Sequence, residues 1–172
     1  MKSILRIILA IAAMVGAARI SFDLNIADQV VPITGQTLAV IVSALLLPRW
    51  EAMVSILAYL GLGACDQPVF ADGEFGMDKL TGTGAGYLWG FLLATFSISS
   101  TRGYKDAKSL LSIVRDNVVG TVIILFTGFA VLAYHIGVSS AFSLGVVPYW
   151  TGGVVKILIG ALLVFVVRKL FR

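Results

Sequence analysis

The sequence predicts an all-α fold: one polytopic membrane domain, residues 1–172, with six transmembrane helices and both termini cytoplasmic. Three observations predict it. The 172 residues are 59% hydrophobic and only 13% charged, whereas a soluble domain is about a quarter charged. So little polar surface cannot cover a water-soluble globule, and the apolar excess must face lipid. Six apolar runs also follow one another along the chain, and the basic residues gather in alternate connections.

The first run, Ile4–Ile20, follows Met1-Lys2. It is longer than the apolar stretch of a secretory signal, and Ala10-Ile11-Ala12 lies inside it, so it reads as a retained helix. The second, about Ile33–Leu47, stops at Pro48-Arg49, and the third covers about Trp50–Ala64. Both are short against the roughly 20 residues that cross a bilayer core. They predict either a tight hairpin at Pro48 or helices that extend into their polar flanks. The fourth, fifth and sixth cover about Thr81–Ser99, Asn117–Ile136 and Thr151–Val167. A soluble bundle would show an amphipathic period that these runs lack.

Lysine and arginine in short loops collect on the cytoplasmic side. With the N-terminus inside, the cytoplasmic segments carry Lys2, Arg6, Arg49, Arg102, Lys105, Lys108, Arg115, Arg168, Lys169 and Arg172, leaving only Arg19, Lys79 and Lys156 of the 13 basic residues. The opposite loops carry Asp23, Asp28, Asp66, Asp72, Glu74 and Asp78. An even number of spans puts both basic termini inside; five or seven would break the pattern. The outer connections Ser21–Pro32, Asp66–Leu80 and Gly137–Trp150 are longer than helical hairpins need, which points to a site near the outer face.

No enzyme signature stands out. The chain has no G-x-x-x-x-G-K-[ST], H-E-x-x-H or G-x-S-x-G pattern, and no catalytic acid–base pair inside a span. The lone Cys65 excludes an intrachain disulfide, no metal-ligand cluster appears, and the net charge of +4 is a topology signal, with no nucleic-acid partner implied. His135, near the outer end of the fifth run, reads as interfacial.

Several residues are candidates for packing or binding. Gly82, Gly86 and Gly90 share one helix face, which either packs a neighbouring helix or admits a ligand; the Gly82–Tyr87 stretch is richer in glycine than packing needs. Ala13 and Ala17, with Ala12 and Gly16, form small-xxx-small pairs that either pack internally or dock a partner helix. Lys156 is the most informative residue, because a lysine at mid-bilayer costs about 2.5–3.5 kcal/mol. It therefore faces a polar cavity or a partner, unless it snorkels to the headgroups. Gly152 and Gly160 leave room around its ammonium, which is suited to a ligand carboxylate. Arg19 is expected to pair with Asp23 or attract an anion. Gln36 and Thr37 open the second helix; Thr34, Asn25 and Gln36 could supply neutral donors and acceptors, and Trp50 and Trp150 suit interfacial anchoring.

The segment Val31-Pro32-Ile33-Thr34-Gly35-Gln36-Thr37-Leu38 resembles the V-P-I-T-x-Q-T-L signature of the BioY family, the biotin-specific S components of energy-coupling-factor (ECF) transporters. Further matches are Ala44–Trp50, Tyr59–Ala64, Gln67–Ala71, Thr83–Phe91 and Gly145–Pro148 leading to Lys156, in family order from about Ala10 to Leu163. The resemblance implies a six-helix subunit of the bacterial cytoplasmic membrane that binds a vitamin on the outside. Its implied partners are a coupling transmembrane subunit, two ATPase subunits and membrane lipid, and the small-residue face at Ala13 and Ala17 would dock the coupling subunit.

One departure bears on the ligand. The family's last motif reads P-G-D-x-x-K, whereas Thr151-Gly152-Gly153-Val154-Val155-Lys156 keeps the lysine and has glycine for the acid. Lys156 is then freer to meet a carboxylate, and Asp78 is a candidate to replace the acid. The expected ligand is biotin, its carboxylate near Lys156 and its fused rings against Tyr87 and the Gly84–Gly86 backbone. Gly153 equally suits lipoate or another carboxylated cofactor precursor, which needs no ureido partner. A small-molecule-modifying membrane enzyme and a purely structural subunit are the readings from other classes.

Overall fold

A computed structural model describes residues 2–26, 29–100, 103 and 109–170, with the side chains of 22–33, 150 and 151 left aside. Among the described residues eight α-helices carry the fold: α1 Lys2–Ala18, α2 Gln36–Leu46, α3 Arg49–Ala64, α4 Met77–Thr81, α5 Ala85–Ile98, α6 Leu110–Ile136, α7 Val138–Gly145 and α8 Val147–Leu170. The helical expectation holds, with one addition. The connection after α1 is a two-stranded antiparallel hairpin, β1 Ser21–Ile26 and β2 Gln29–Thr34, in register from Ser21↔Thr34 to Ile26↔Gln29.

The helix ends follow from local chemistry. The residue before proline disfavours the α region; Leu47 is extended (φ −88°, ψ 150°) and Pro48 opens α3. At the same end Arg49 donates through Nη2 to the Ser99 carbonyl at 2.8 Å, and Arg168 donates to the Leu45 carbonyl at 2.5 Å. These arginines occupy the orphan carbonyls that helices α5 and α2 leave at their C-termini. Ser109 caps α6, its hydroxyl accepting from Ser112 N–H at 3.2 Å, and Gly137 at φ +86° ends the helix.

Several boundaries differ from expectation. The fourth run becomes helical only at Ala85, which leaves Gly82 outside the helix of Gly86 and Gly90, and the short α4 lies almost wholly in the expected outer loop Asp66–Leu80; the fifth helix begins at Leu110, and the expected outer loop Gly137–Trp150 contains α7 and the first turn of α8. Leu110–Ile136 is long and apolar enough to cross a membrane by itself; Val138–Tyr149 with Gly152–Leu170, bent by 42°, would count as one more only if taken together.

Burial divides the helices into two faces. On α1 the inward residues are Ala10, Met14 and Ala18, while Ile4, Leu5, Ile8 and Leu9 are exposed. On α8 the inward stripe runs through Gly160, Ala161, Val164 and Arg168, with Val155, Leu158, Leu162 and Val166 outside. Exposed apolar surface this extensive, on helices whose other face packs a core, has a lipid as its natural neighbour. The core proper is built from Val40, Ile41, Leu45, Ile56, Tyr59, Phe91 and Ile124.

The α5–α6 pair is the tightest. A Cβ on Gly86 would lie 2.3 Å from the Thr127 carbonyl oxygen, and one on Gly90 would lie 2.9 Å from Ile124 Cα. The glycine face of the fourth run therefore serves helix packing.

Candidate functional site

A cavity of about 170 Å³ opens among α2, α5 and α6, beneath the segment that joins α3 to α4. Its walls include Phe70, Tyr87, Phe91 and Tyr149, with Thr34, Gln36 and Thr37 on one side and Glu74 and Lys79 at its margin. Aromatic walls with a few placed polar groups are the usual make-up of a small-molecule site.

The aromatic rings are held from several directions. Tyr87 lies in the first turn of α5; its hydroxyl donates to the Gly145 carbonyl at 2.8 Å and its ring lies 5.6 Å from that of Tyr149. Its face rests on Gly128, where a Cβ would come within 2.3 Å of the ring. Phe70 packs edge-on to Tyr59 and sits over Gly63. Gln36 donates to the Tyr59 hydroxyl, which in turn donates to the Val69 carbonyl at 2.9 Å. That buried relay joins α2, α3 and the roof of the cavity.

A small recess of about 20 Å³ adjoins the cavity, sharing Thr37, Leu125 and Tyr149 with it. Lys156 lines the recess together with Asn117, Thr121 and Gly153. Lys156 thus faces a small, mostly apolar hollow inside the protein, walled by Leu38, Ile41 and Leu125, to which Thr37, Asn117 and Thr121 bring polar side chains. Among the described residues no carboxylate lines this recess, so a bound anion would meet the ammonium with no competing acid beside it.

The roof is latched to the hairpin. Arg19 donates to the Pro68 carbonyl, and its guanidinium lies against Gly73, whose φ of +79° is itself a glycine conformation. Ser21 donates to Asp72 Oδ1 at 2.7 Å, and Gly76 N–H donates to the Gly63 carbonyl at 2.7 Å. Arg19 therefore clamps two outer segments together; the side chain of Asp23, its expected partner, lies outside the described residues, as does that of Asn25.

The expected site residues separate into two groups. Lys156, Tyr87, Gly84, Gln36 and Thr34 line the cavity or its recess. Gly86 is buried between α5 and α6, and Asp78 is exposed on α4 away from the lining; Glu74, paired with Lys79 at 2.5 Å, is the acid that reaches the cavity from this segment. Phe70, Phe91, Tyr149, Asn117, Thr121, Glu74 and Lys79 were not singled out from sequence as site residues. Asn117 and Thr121 carried a signal, since they are polar residues four apart in an apolar helix. On α1, Ala12, Ala13 and Gly16 are exposed, whereas Ala17 packs against Gly35. His135 is exposed at the end of α6, beside Tyr134.

Comparison with known proteins supplies the family. A family model described as BioY family matches residues 1–172. A protein named biotin transporter BioY from Thermotoga maritima is 33% identical over 141 residues, 81% of this chain and 82% of its own. A probable biotin transporter BioY from Pyrococcus horikoshii is 32% identical over 146 residues, 85% of this chain and 86% of its own. Among solved structures, the crystal structure of the S-component for biotin from an ECF-type ABC transporter superposes with a TM-score of 0.83, covering 98% of this chain and 91% of that one at 20% identity, a likeness of fold. With the match extending over the whole chain and both relatives aligned over most of their length, the chain belongs to the BioY family.

Proposed function

We propose that this chain is the substrate-binding subunit of a vitamin uptake transporter. It captures biotin on the outer face of a bacterial cytoplasmic membrane and delivers it inward with an ATP-driven module of one coupling transmembrane subunit and two ATPase subunits. The observation that carries the reading is the aromatic-walled cavity ending in the Lys156 recess. Biotin has a compact apolar bicycle, which suits walls of Tyr87, Phe91 and Tyr149, and one carboxylate, which suits the ammonium of Lys156. The relatives, one named biotin transporter BioY and one named probable biotin transporter BioY, support the same ligand.

In this reading α1, α2, α3, α5, α6 and α8 are the six spans, with both termini cytoplasmic. At about 1.5 Å per residue, the 11 residues of α2 do not cross a bilayer alone; they cross with their extended flanks and with packed neighbours on either side. The exposed small residues Ala12, Ala13 and Gly16 offer the face that docks the coupling subunit.

A second ligand is favoured by Gly153. Glycine in the recess leaves no acid to accept a ureido N–H, which suits lipoate. Calorimetric titration of the purified protein in detergent with biotin and with lipoate tests both. The expected result is saturable one-to-one binding of biotin that excess lipoate displaces only weakly. Tighter binding of lipoate selects the second reading, and binding of neither contradicts the proposal.

A further inference from the structure

The Lys156 recess suits one end of biotin and leaves the other unanswered. A ureido ring presents N–H donors, and no carboxylate lines the recess among the described residues. Glu74, the acid at the cavity margin, is paired with Lys79 at 2.5 Å and half-exposed to solvent. The hydroxyls of Thr34 and Thr37 both donate and accept, so they do not select for a donor. Gln36, the first residue of α2, lines the same cavity and is only 4% exposed.

The neighbours of Gln36 fix which way its amide points. Tyr59 is fully buried, and its phenol carries a single proton. That proton goes to the carbonyl of Val69, itself buried, at 2.9 Å. The phenol oxygen is then an acceptor, so Nε2 of Gln36 is the atom turned towards it. Turning the amide over would set Oε1 against the phenol oxygen and draw its proton away from Val69, leaving a buried carbonyl unpaired. The backbone is held as well. Gly35 N–H donates to the Ile20 carbonyl at 2.8 Å, and a Cβ on Gly35 would lie 2.9 Å from the Ala17 carbonyl oxygen, so the start of α2 is seated on the end of α1. With Nε2 committed to Tyr59, Oε1 has no hydrogen-bond partner among the described residues and is the atom left for a ligand.

We propose that Gln36 selects for a ureido ligand: its Oε1 accepts an N–H of the biotin ring, and Tyr59 is the positioning residue that keeps this oxygen, rather than the NH2 group, available to the cavity. The inference rests on the biotin reading above and deepens it. With glycine at 153, the acceptor comes from α2 instead of α8. Lipoate has no N–H to offer and gains nothing from Gln36, so the held amide tilts the site towards biotin.

The test follows the N–H itself. Biotin labelled with nitrogen-15 in its ureido ring is bound to the full chain in detergent and observed by proton–nitrogen NMR, with affinities from calorimetric titration. In the wild-type protein one bound N–H proton should lie downfield of its position in free biotin. Gln36→Met should return that signal towards the free position and weaken biotin binding about tenfold. Tyr59→Phe releases the amide; it should weaken binding several-fold and move the same signal part of the way back. The double variant should bind no more weakly than Gln36→Met alone, because Tyr59 acts through the amide. Should Gln36→Met not fold, Tyr59→Phe carries the same NMR expectation. Unchanged biotin affinity in Gln36→Met would overturn the proposal and leave the biotin reading standing. So would weakened binding with the N–H signal unmoved, which would show Gln36 acting through packing. Losses that add in the double variant would overturn the positioning role of Tyr59. Failure of the wild-type protein to bind biotin would contradict the biotin reading itself, and this inference with it.

Discussion

The Tyr87 hydroxyl donates to the Gly145 carbonyl at 2.8 Å, so one hydrogen bond ties a wall of the aromatic cavity to the short helix α7. The ring is fixed at its tip by that bond and at its face by the absence of a side chain on Gly128. A net hydrogen bond contributes about 0.5–1.5 kcal/mol. Tyr87→Phe should therefore weaken biotin binding by no more than about tenfold, because the ring stays in place. Gly128→Ala drives a methyl group into the ring and should cost more than tenfold. Titrations of the two variants check the order; a greater loss in Tyr87→Phe than in Gly128→Ala would contradict it.

The clamp at Arg19 should act on rates. Arg19 holds the Pro68 carbonyl and covers Gly73, joining the end of α1 to the roof of the cavity. In Arg19→Met the roof opens more often, so biotin should dissociate several-fold faster while the association rate changes little. Stopped-flow displacement measures both constants. An unchanged dissociation rate would separate the roof from ligand retention.

The Arg6–Glu51 pair should show the asymmetry of buried charges. Glu51 is 1% exposed, its Oε2 has no hydrogen-bond partner among the described residues, and its charge is matched by Arg6. Removing one partner of a buried pair costs about 3–5 kcal/mol, whereas replacing both by apolar residues is often neutral. Arg6→Met should lower the midpoint of thermal unfolding in detergent markedly, and Arg6→Met with Glu51→Met should recover most of it. A double variant no more stable than Arg6→Met would show that the pair acts through something other than charge.

The parts of this protein legible in its sequence are those set by strong, local physics. A lysine in an apolar run has few places to go, and Lys156 lines an internal recess beside Asn117 and Thr121. Glycines four apart on one helix face let another helix approach closely, and Gly86 and Gly90 meet α6. The cavity's apolar walls were not legible in this way, because Phe70 and Phe91 look like any core residue until the neighbours are known. Asp78 and Glu74 are four residues apart in a short polar segment, and no periodicity says which one turns inward. The hairpin was visible in principle: Phe22, Leu24 and Ile26 alternate with polar residues, and only Ala27 and Asp28 separate the strands. Reading Ser21–Pro32 as a polar outer loop concealed that period of two. The late start of the fourth run's helix, at Ala85, reflects Gly82 ending α4 and Gly84 preceding α5.

The measurement closest to the central claim compares biotin with biotin methyl ester on the wild-type protein and on Lys156→Met. If the ammonium in the recess holds the carboxylate, the variant should lose about 1.5–3 kcal/mol of biotin affinity, roughly tenfold to more than a hundredfold, and almost none for the ester. Equal losses for acid and ester, or biotin binding that is indifferent to the substitution, would contradict the account.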